Sequence, residues 1–289
     1  TDQAGEAVAL RQQAVRELQG ATGPVRLRLA DALEGLVEQP PAGQTGAESL
    51  AMLQQAAQIR LDESGPQDYL LPYTRERLAQ RLDAAGYPDA ALAQLEANTQ
   101  AGRVMMERMP ARAGEWVEAL SLVLPLTQQA WFLHDHGNPA AALALAEQAS
   151  GLLNAAARKE VGWLLQGSLR VQLWAHIDLG DADAVRRVLT ELIAVRPVVG
   201  GGGTRLSRED ALDQLAAAQL LRDSVLQQAA VTALAPRSAV GQCRPDDLCQ
   251  ARPRDERRMD WQERARAGQR AAARAAGLCG VAASQAPRA

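Results

Sequence analysis

The chain has 289 residues, enough to bury a sizeable core in one large domain or two ordinary ones. Its 58 alanines and 40 leucines stand against 3 isoleucines and 1 phenylalanine, and so many helix formers beside so few β-branched and aromatic residues exclude an all-β fold and disfavour an α/β sheet. With 31 basic and 34 acidic residues the net charge is −3, which argues against a general nucleic-acid binder.

Residues 4–19 read as a first helix, with Val8, Val15 and Leu18 on one side. Thr22-Gly23-Pro24 opens a second, the proline standing where a missing N–H does no harm, and Pro40-Pro41 closes it. Gly43 to Gly46 form a loop, and residues 47–62 carry Leu50, Leu53, Ala57 and Leu61 at helical spacing. A segment from Tyr69 to Ala85 stops at Gly86, and Pro88 starts a helix running to about Gly102. The arrangement recurs twice. A long helix ends at Gly137, and Asn138-Pro139 begins its neighbour, which runs to about Arg158. Another ends at Gly180, Asp181 caps its successor, and Pro197 stops it. In each case a glycine takes the left-handed position at a helix end, and a cap or a first-turn proline launches the antiparallel partner. The run Gly200 to Gly203 is a flexible break, and Ser207-Arg208-Glu209-Asp210 resembles a capping box opening a helix to about Leu234. Pro236 to Pro253 form a cysteine-bearing loop before a last helix over 254–277. The chain thus divides into N-terminal helices (1–65), a repeat region (66–199) and a C-terminal helical region (200–289).

The three glycine turns read AAGYPDAAL, DHGNPAAAL and DLGDADAVR, with small residues that let paired helices approach closely. They resemble the tetratricopeptide repeat (TPR), a helix–turn–helix unit with small residues at fixed offsets. The likeness rests on Leu78, Ala79, Leu82, Gly86, Ala91 and Leu95, then on Ala130, Leu133, Gly137, Ala142, Ala146 and Ala149, and more thinly on Gly180, Asp181 and Pro197. It spans Tyr69 to Pro197, with turns 51 and 43 residues apart where the family unit has about 34. A related α-solenoid or an irregular helical bundle accounts for the same periodicity. The resemblance implies an all-α, right-handed α-solenoid of antiparallel helix pairs, capped at both ends by terminal helices. It also implies a concave groove lined by the first helix of each repeat. Carried over, groove positions fall at Tyr73, Glu76, Gln80 and Asp83, at Thr127, Trp131, His134 and Asp135, and at Arg170, Trp174 and Asp178. The implied function is an assembly scaffold that holds a protein or peptide partner, with no catalysis and no cofactor. Acidic groove positions favour a partner carrying Arg or Lys. Trp131 and Trp174 are either interface anchors or, like Trp116 and Trp163, core residues in apolar surroundings.

Against the scaffold stands the string FLHDHGN at residues 132–138. Its adjacent His134-Asp135 resembles the metal-binding doublet of the helical HD phosphohydrolases, so the alternative is a metal-dependent hydrolase; a regulatory or sensor domain of a larger system is another. The chain has only His134, His136 and His176, so the upstream histidine of that family has no counterpart. Residues two apart on a helix also point about 200° apart, so His134 and His136 cannot grip one ion while the helix holds. The plainer reading is a helix C-terminus where imidazoles suit the dipole. Gly200 to Gly203 lack the Gly-Lys-Ser/Thr ending of a phosphate loop, and 9 aromatics are too few for Pro245-Asp246-Asp247 to serve a carbocation pocket.

Cys243, Cys249 and Cys279 cluster in the last fifth of the chain. A Cys243–Cys249 disulfide would close a small loop and stabilise by about 2–3 kcal/mol on the loop-entropy model; another pairing and free thiols stay open. Three sulfurs without a nearby histidine leave a zinc shell incomplete. The cluster, with the absence of a methionine before Thr1, points to an exported protein in the periplasm of a Gram-negative bacterium, with the cytoplasm as the alternative. No stretch approaches 18 uninterrupted apolar residues, so no membrane span is expected. From residue 251 onward the chain carries 9 Arg and 4 acidic residues, +5 against −8 for the first 250. That basic last helix either forms solvated local pairs or docks on acidic surface, including that of another copy in a homo-oligomer.

Overall fold

The alanine- and leucine-rich periodicity folds into eleven α-helices among the residues that a computed structural model describes: 3–108, 116–153, 162–195 and 208–234. In chain order these are α1 (Gln3–Leu18), α2 (Arg26–Glu38), α3 (Gly46–Ser64), α4 (Leu71–Ala84), α5 (Pro88–Arg108), α6 (Trp116–Asp135), α7 (Pro139–Gly151), α8 (Gly162–Leu179), α9 (Ala182–Ala194), α10 (Arg208–Leu221) and α11 (Ser224–Leu234). No strand occurs among the described residues, so the all-α expectation holds. None of the described helices is long and apolar enough to cross a membrane. The chain divides at Pro125, inside α6, into two compact units covering residues 1–125 and 126–289.

In the first unit each helix from α1 to α4 packs along its successor in the chain. Leu29, Ala30 and Leu33 of α2 meet Ala56 and Ile59 of α3 in one apolar cluster. The start of α3 is fixed by a capping box. The Thr45 hydroxyl accepts from the Glu48 N–H while the Glu48 carboxylate accepts from the Thr45 N–H, satisfying two amides that a helix start leaves bare. Arg60 lies wholly inside this unit, only 2% exposed. Its guanidinium donates to Asp31 at 2.5 Å and Glu34 at 2.9 Å on α2 and stands 3.7 Å from Asp68. Burial pulls the Arg60 pKa down, but the bonds and charges of Glu34 and Asp31 outweigh it and hold the group above its ordinary value. Glu34 also accepts from the Thr74 hydroxyl at 2.5 Å, so one carboxylate ties α2 to both α3 and α4.

One expectation is corrected in this unit. The helix that starts at Pro88 does not stop at Gly102 but continues to Arg108. Gly102 is a crossing point instead: a Cβ placed there would come within 2.3 Å of the Ser121 carbonyl oxygen on α6. That carbonyl cannot receive the usual bond from residue 125, because Pro125 has no N–H. Glycine and proline together let the two backbones close up.

In the second unit α8 packs on α7, α9 and α10. Ala130 and Trp131 of α6, Ala142 and Ala146 of α7, Val171 and Trp174 of α8 and Ala216 of α10 share one cluster. Alanines on α7 and α10 are what allow two tryptophans to fit between helices. α7 ends at Gly151, short of the expected Arg158.

The hairpin turns share one chemistry. Gly86, Gly137 and Gly180 adopt φ of +84°, +80° and +76°, the left-handed conformation in which only glycine escapes a Cβ clash. Beyond each, the next N–H reaches back five residues: Tyr87 to the Leu82 carbonyl, Asn138 to Leu133 and Asp181 to His176, at 2.9–3.0 Å. This is the Schellman closure of a helix end. Asn138 and Asp181 then cap the following helix, accepting from Ala141 and Ala184. A fourth hairpin was not expected. The segment read as one helix to Leu234 breaks after Leu221, where Arg222 takes φ +55° and the Asp223 N–H closes on the Ala218 carbonyl at 3.0 Å. Asp223 accepts from Val225 and Leu226, launching α11. An arginine replaces the signal glycine, and the Asp223 cap makes the break. The turn residues 86, 137, 180 and 222 lie 51, 43 and 42 residues apart.

Candidate functional site

Arg170, Trp174 and Asp178 recur every fourth residue on α8 and therefore share one face of it. That face meets the other first helices of the hairpins in the second unit. Toward α10, the Arg170 guanidinium donates to Asp213 at 2.8 Å and to Glu209 and Asp210 at 2.9 Å each. The Trp174 indole N–H donates to the second oxygen of Asp213 at 2.9 Å. Toward α6, Asp178 accepts from His134 Nε2 at 2.9 Å. A carboxylate can only accept here, so Nε2 carries the proton. The ridge of α8 thus bridges α6 and α10, with Trp131 and Trp174 packed in the cluster beneath it.

The charges are placed to support one another. Burial disfavours the charged form of Arg170, yet the carboxylates of Asp213, Glu209 and Asp210 more than offset it, and the guanidinium is held well above its ordinary pKa. The His134 side chain is fully buried, with Asp135 3.5 Å from its Nδ1 and Trp131 edge-on to its ring. Arg75 on α4 shows the opposite balance: burial alone lowers it.

The sequence-derived positions distribute as follows. On α4, in the first unit, Tyr73 is exposed, Gln80 and Asp83 are half-buried, and Glu76 is buried. On α6, Thr127, Trp131 and His134 are buried and Asp135 is half-buried. On α8, Arg170 is half-buried, Trp174 is buried and Asp178 is exposed. The positions named on α6 and α8 are brought together. The two tryptophans lie in the core, 2% and 8% exposed, as the packing alternative requires. Glu209, Asp210 and Asp213 complete the ridge and were not singled out from sequence. Their signal was an acidic i, i+1, i+4 pattern opening a helix, and their partner lies 39–43 residues away.

In the His-Asp string, Asp135 Oδ1 stands 3.5 Å from His134 Nδ1. His136 turns away from His134, donating from Nδ1 to the Phe132 carbonyl at 2.8 Å and stacking on the Phe132 ring. Among the described residues no group of three or more His, Cys, Asp or Glu side chains is placed to hold a metal ion. Cys243, Cys249, Cys279 and the basic segment beyond residue 251 lie outside the described residues.

No family model matches the chain, and no curated protein matches it.

Proposed function

We propose that the chain is a binding scaffold, its antiparallel helix pairs being repeats of a right-handed, TPR-like α-solenoid with capping helices at the ends. In the second unit the first helices of the hairpins, α6, α8 and α10, would form the concave face that receives a protein or peptide partner. The observation that carries this reading is the recurrence of one turn. Four helix pairs close with a residue in the left-handed conformation, three of them glycine and one Arg222, and with the same five-residue back-bond. α6 and α8 touch through His134 and Asp178, both positions that the TPR resemblance assigns to a groove, and the assigned positions Arg170 and Trp174 carry α8 on to Asp213 of α10.

On this reading the groove positions divide by role. Trp131 and Trp174 pack in one cluster, His134 pairs with Asp178 and Arg170 with the carboxylates of α10, and together they stiffen the wall. Asp178 and Glu209, each more than a third exposed at the side chain, are the groups of the second unit open to a guest, and Tyr73 is the exposed groove position of the first. Carboxylates at the surface suit an extended segment bearing Arg or Lys. The mechanism is recognition on a preorganised surface, which lowers the ordering cost of binding. Calorimetric titration with extended peptides carrying two to four Arg or Lys, beside charge-free controls, tests it. Binding that weakens with salt and is lost on Asp178→Arg with Glu209→Arg is expected. Equal binding by that folded variant would overturn the assignment. Export to the periplasm belongs to the same reading and rests on the cysteine cluster.

A further inference from the structure

We propose that residues 254–277 fold back as a helix along the outward face of α11 and cap the second unit's stack of helix pairs. The inference rests on the stacking half of the reading above. Its tests involve no guest, so its failure and the failure of guest binding are separate results.

The packing order calls for another helix at this place. α8 lies against both helices of the pair before it, meeting α6 through His134 and Asp178 and packing along α7. α10 repeats the arrangement on α8 and α9. A next helix in the series would lie on α10 and α11, and residues 235–289 follow the end of α11 at Leu234.

α11 is composed as an inner helix. Among the described helices it alone carries no Asp, Glu, Lys or Arg, whereas the end of a helix stack needs a polar outer surface. Ala230 is its one buried residue, and a helix of 11 residues held on a single side is marginal in water. Val225, Ala229 and Thr232, at i, i+4 and i+7, share the side away from Ala230 and Leu234. All three are exposed, Val225 at 79%.

The segment 254–277 lies outside the described residues and reads in sequence as a helix with a matching side. Trp261, Ala265, Gly268, Ala272 and Ala275 recur at steps of four and three residues, which places them in one uncharged stripe. Arg266, Arg270 and Arg274 fall on the reverse, where they would stay in water. An uncharged stripe fits the uncharged face of α11. The connection is long enough for either direction of packing. Residues 235–253 reach about 60 Å when extended, against about 16 Å for the length of α11.

Hydrogen exchange on the full chain tests the proposal. Amides of 254–277 should exchange at least about ten-fold more slowly than an unstructured chain, and to the same extent at every protein concentration. Ala229→Arg and Thr232→Arg replace exposed residues. Each should abolish that protection while α8 keeps its own, and Ala229→Ser should retain it. Trp261→Asp should act from the other side, releasing 254–277 and speeding exchange in α11. Absence of protection over 254–277 in the unmodified chain would overturn the proposal. So would protection that survives both arginine variants, which would place the segment elsewhere, for example on the carboxylates of α10. Protection that grows with concentration, with a dimer by light scattering, would give the face to a second copy and overturn it likewise.

Discussion

Replacing Arg170 by methionine keeps the length of the side chain and its apolar stem but removes the charge that three carboxylates surround. Asp213 and Asp210, with side chains 6% and 12% exposed, lose a donor at 2.8–2.9 Å, and Glu209, at 37%, loses one in wetter surroundings. Removing one partner of a buried ion pair costs about 3–5 kcal/mol. Two features lower that figure. Glu209 is screened by solvent, and Asp213 keeps the Trp174 indole donor. The expected loss is therefore about 2–4 kcal/mol, or roughly 5–15 °C in melting temperature. The pH dependence follows from the direction of the shift. The folded-state pKa of Arg170 is raised above its unfolded value, so its contribution is fully present below the ordinary guanidinium range and is lost only as pH rises through the folded value. The deficit of the variant should accordingly be equal at pH 6 and pH 9. Urea unfolding followed by circular dichroism and tryptophan fluorescence measures it, and Arg170→Lys, which lacks the planar fork, should lose an intermediate amount. In a double-mutant cycle with Asp213→Asn the two losses should fall short of additive by about 1–3 kcal/mol. A loss below about 1 kcal/mol together with strict additivity would refute the idea that this cluster joins α8 to α10.

Gly102→Ala should destabilise by about 1–3 kcal/mol in spite of alanine's better helix propensity, because the Ser121 carbonyl that its methyl would strike is backbone; a raised melting temperature would show that α5 and α6 can part freely. Gly137→Ala and Gly180→Ala should each cost about 1–2 kcal/mol, since both glycines have positive φ and open space around them. Arg222→Gly should act with the opposite sign, stabilising by about 0.5–1 kcal/mol in chemical denaturation, because it relieves the same backbone conformation at the one non-glycine turn among the described residues. If Cys243 and Cys249 are paired, thiol titration of denatured, unreduced protein from its native compartment should find one free thiol per chain, and three would remove the main support for export.

Much of this architecture was legible because its turns obey local rules. A left-handed residue at a helix end nearly demands glycine, so Gly86, Gly137 and Gly180 announce three hairpins, and Asn138 and Asp181 announce the helices that follow. Where the same conformation is held by Arg222, composition carries no signal, and the cap at Asp223 was the sole available clue to the fourth hairpin. Gly102 misled for the converse reason: a glycine chosen for a neighbour's backbone looks in sequence like one chosen for a turn. The capping box at Thr45 and Glu48 went unread: its Thr-x-x-Glu spacing places the start of α3 at Gly46, which the sequence reading gives to the loop. The buried arginines were not readable. The carboxylates to which Arg60 and Arg170 donate lie 26–43 residues distant, and no local pattern separates these arginines from surface ones. For the tryptophans, apolar neighbours in sequence pointed to the core, and the core is where Trp131 and Trp174 lie.

The claim that matters most is that the first helices of the hairpins present the receiving face. Hydrogen–deuterium exchange of the full chain, with and without a saturating Arg-containing peptide, tests it most directly. Protection gathered on α6, α8 and α10, with α7, α9 and α11 unchanged, is the predicted result. Protection gathered on the second helices would contradict it.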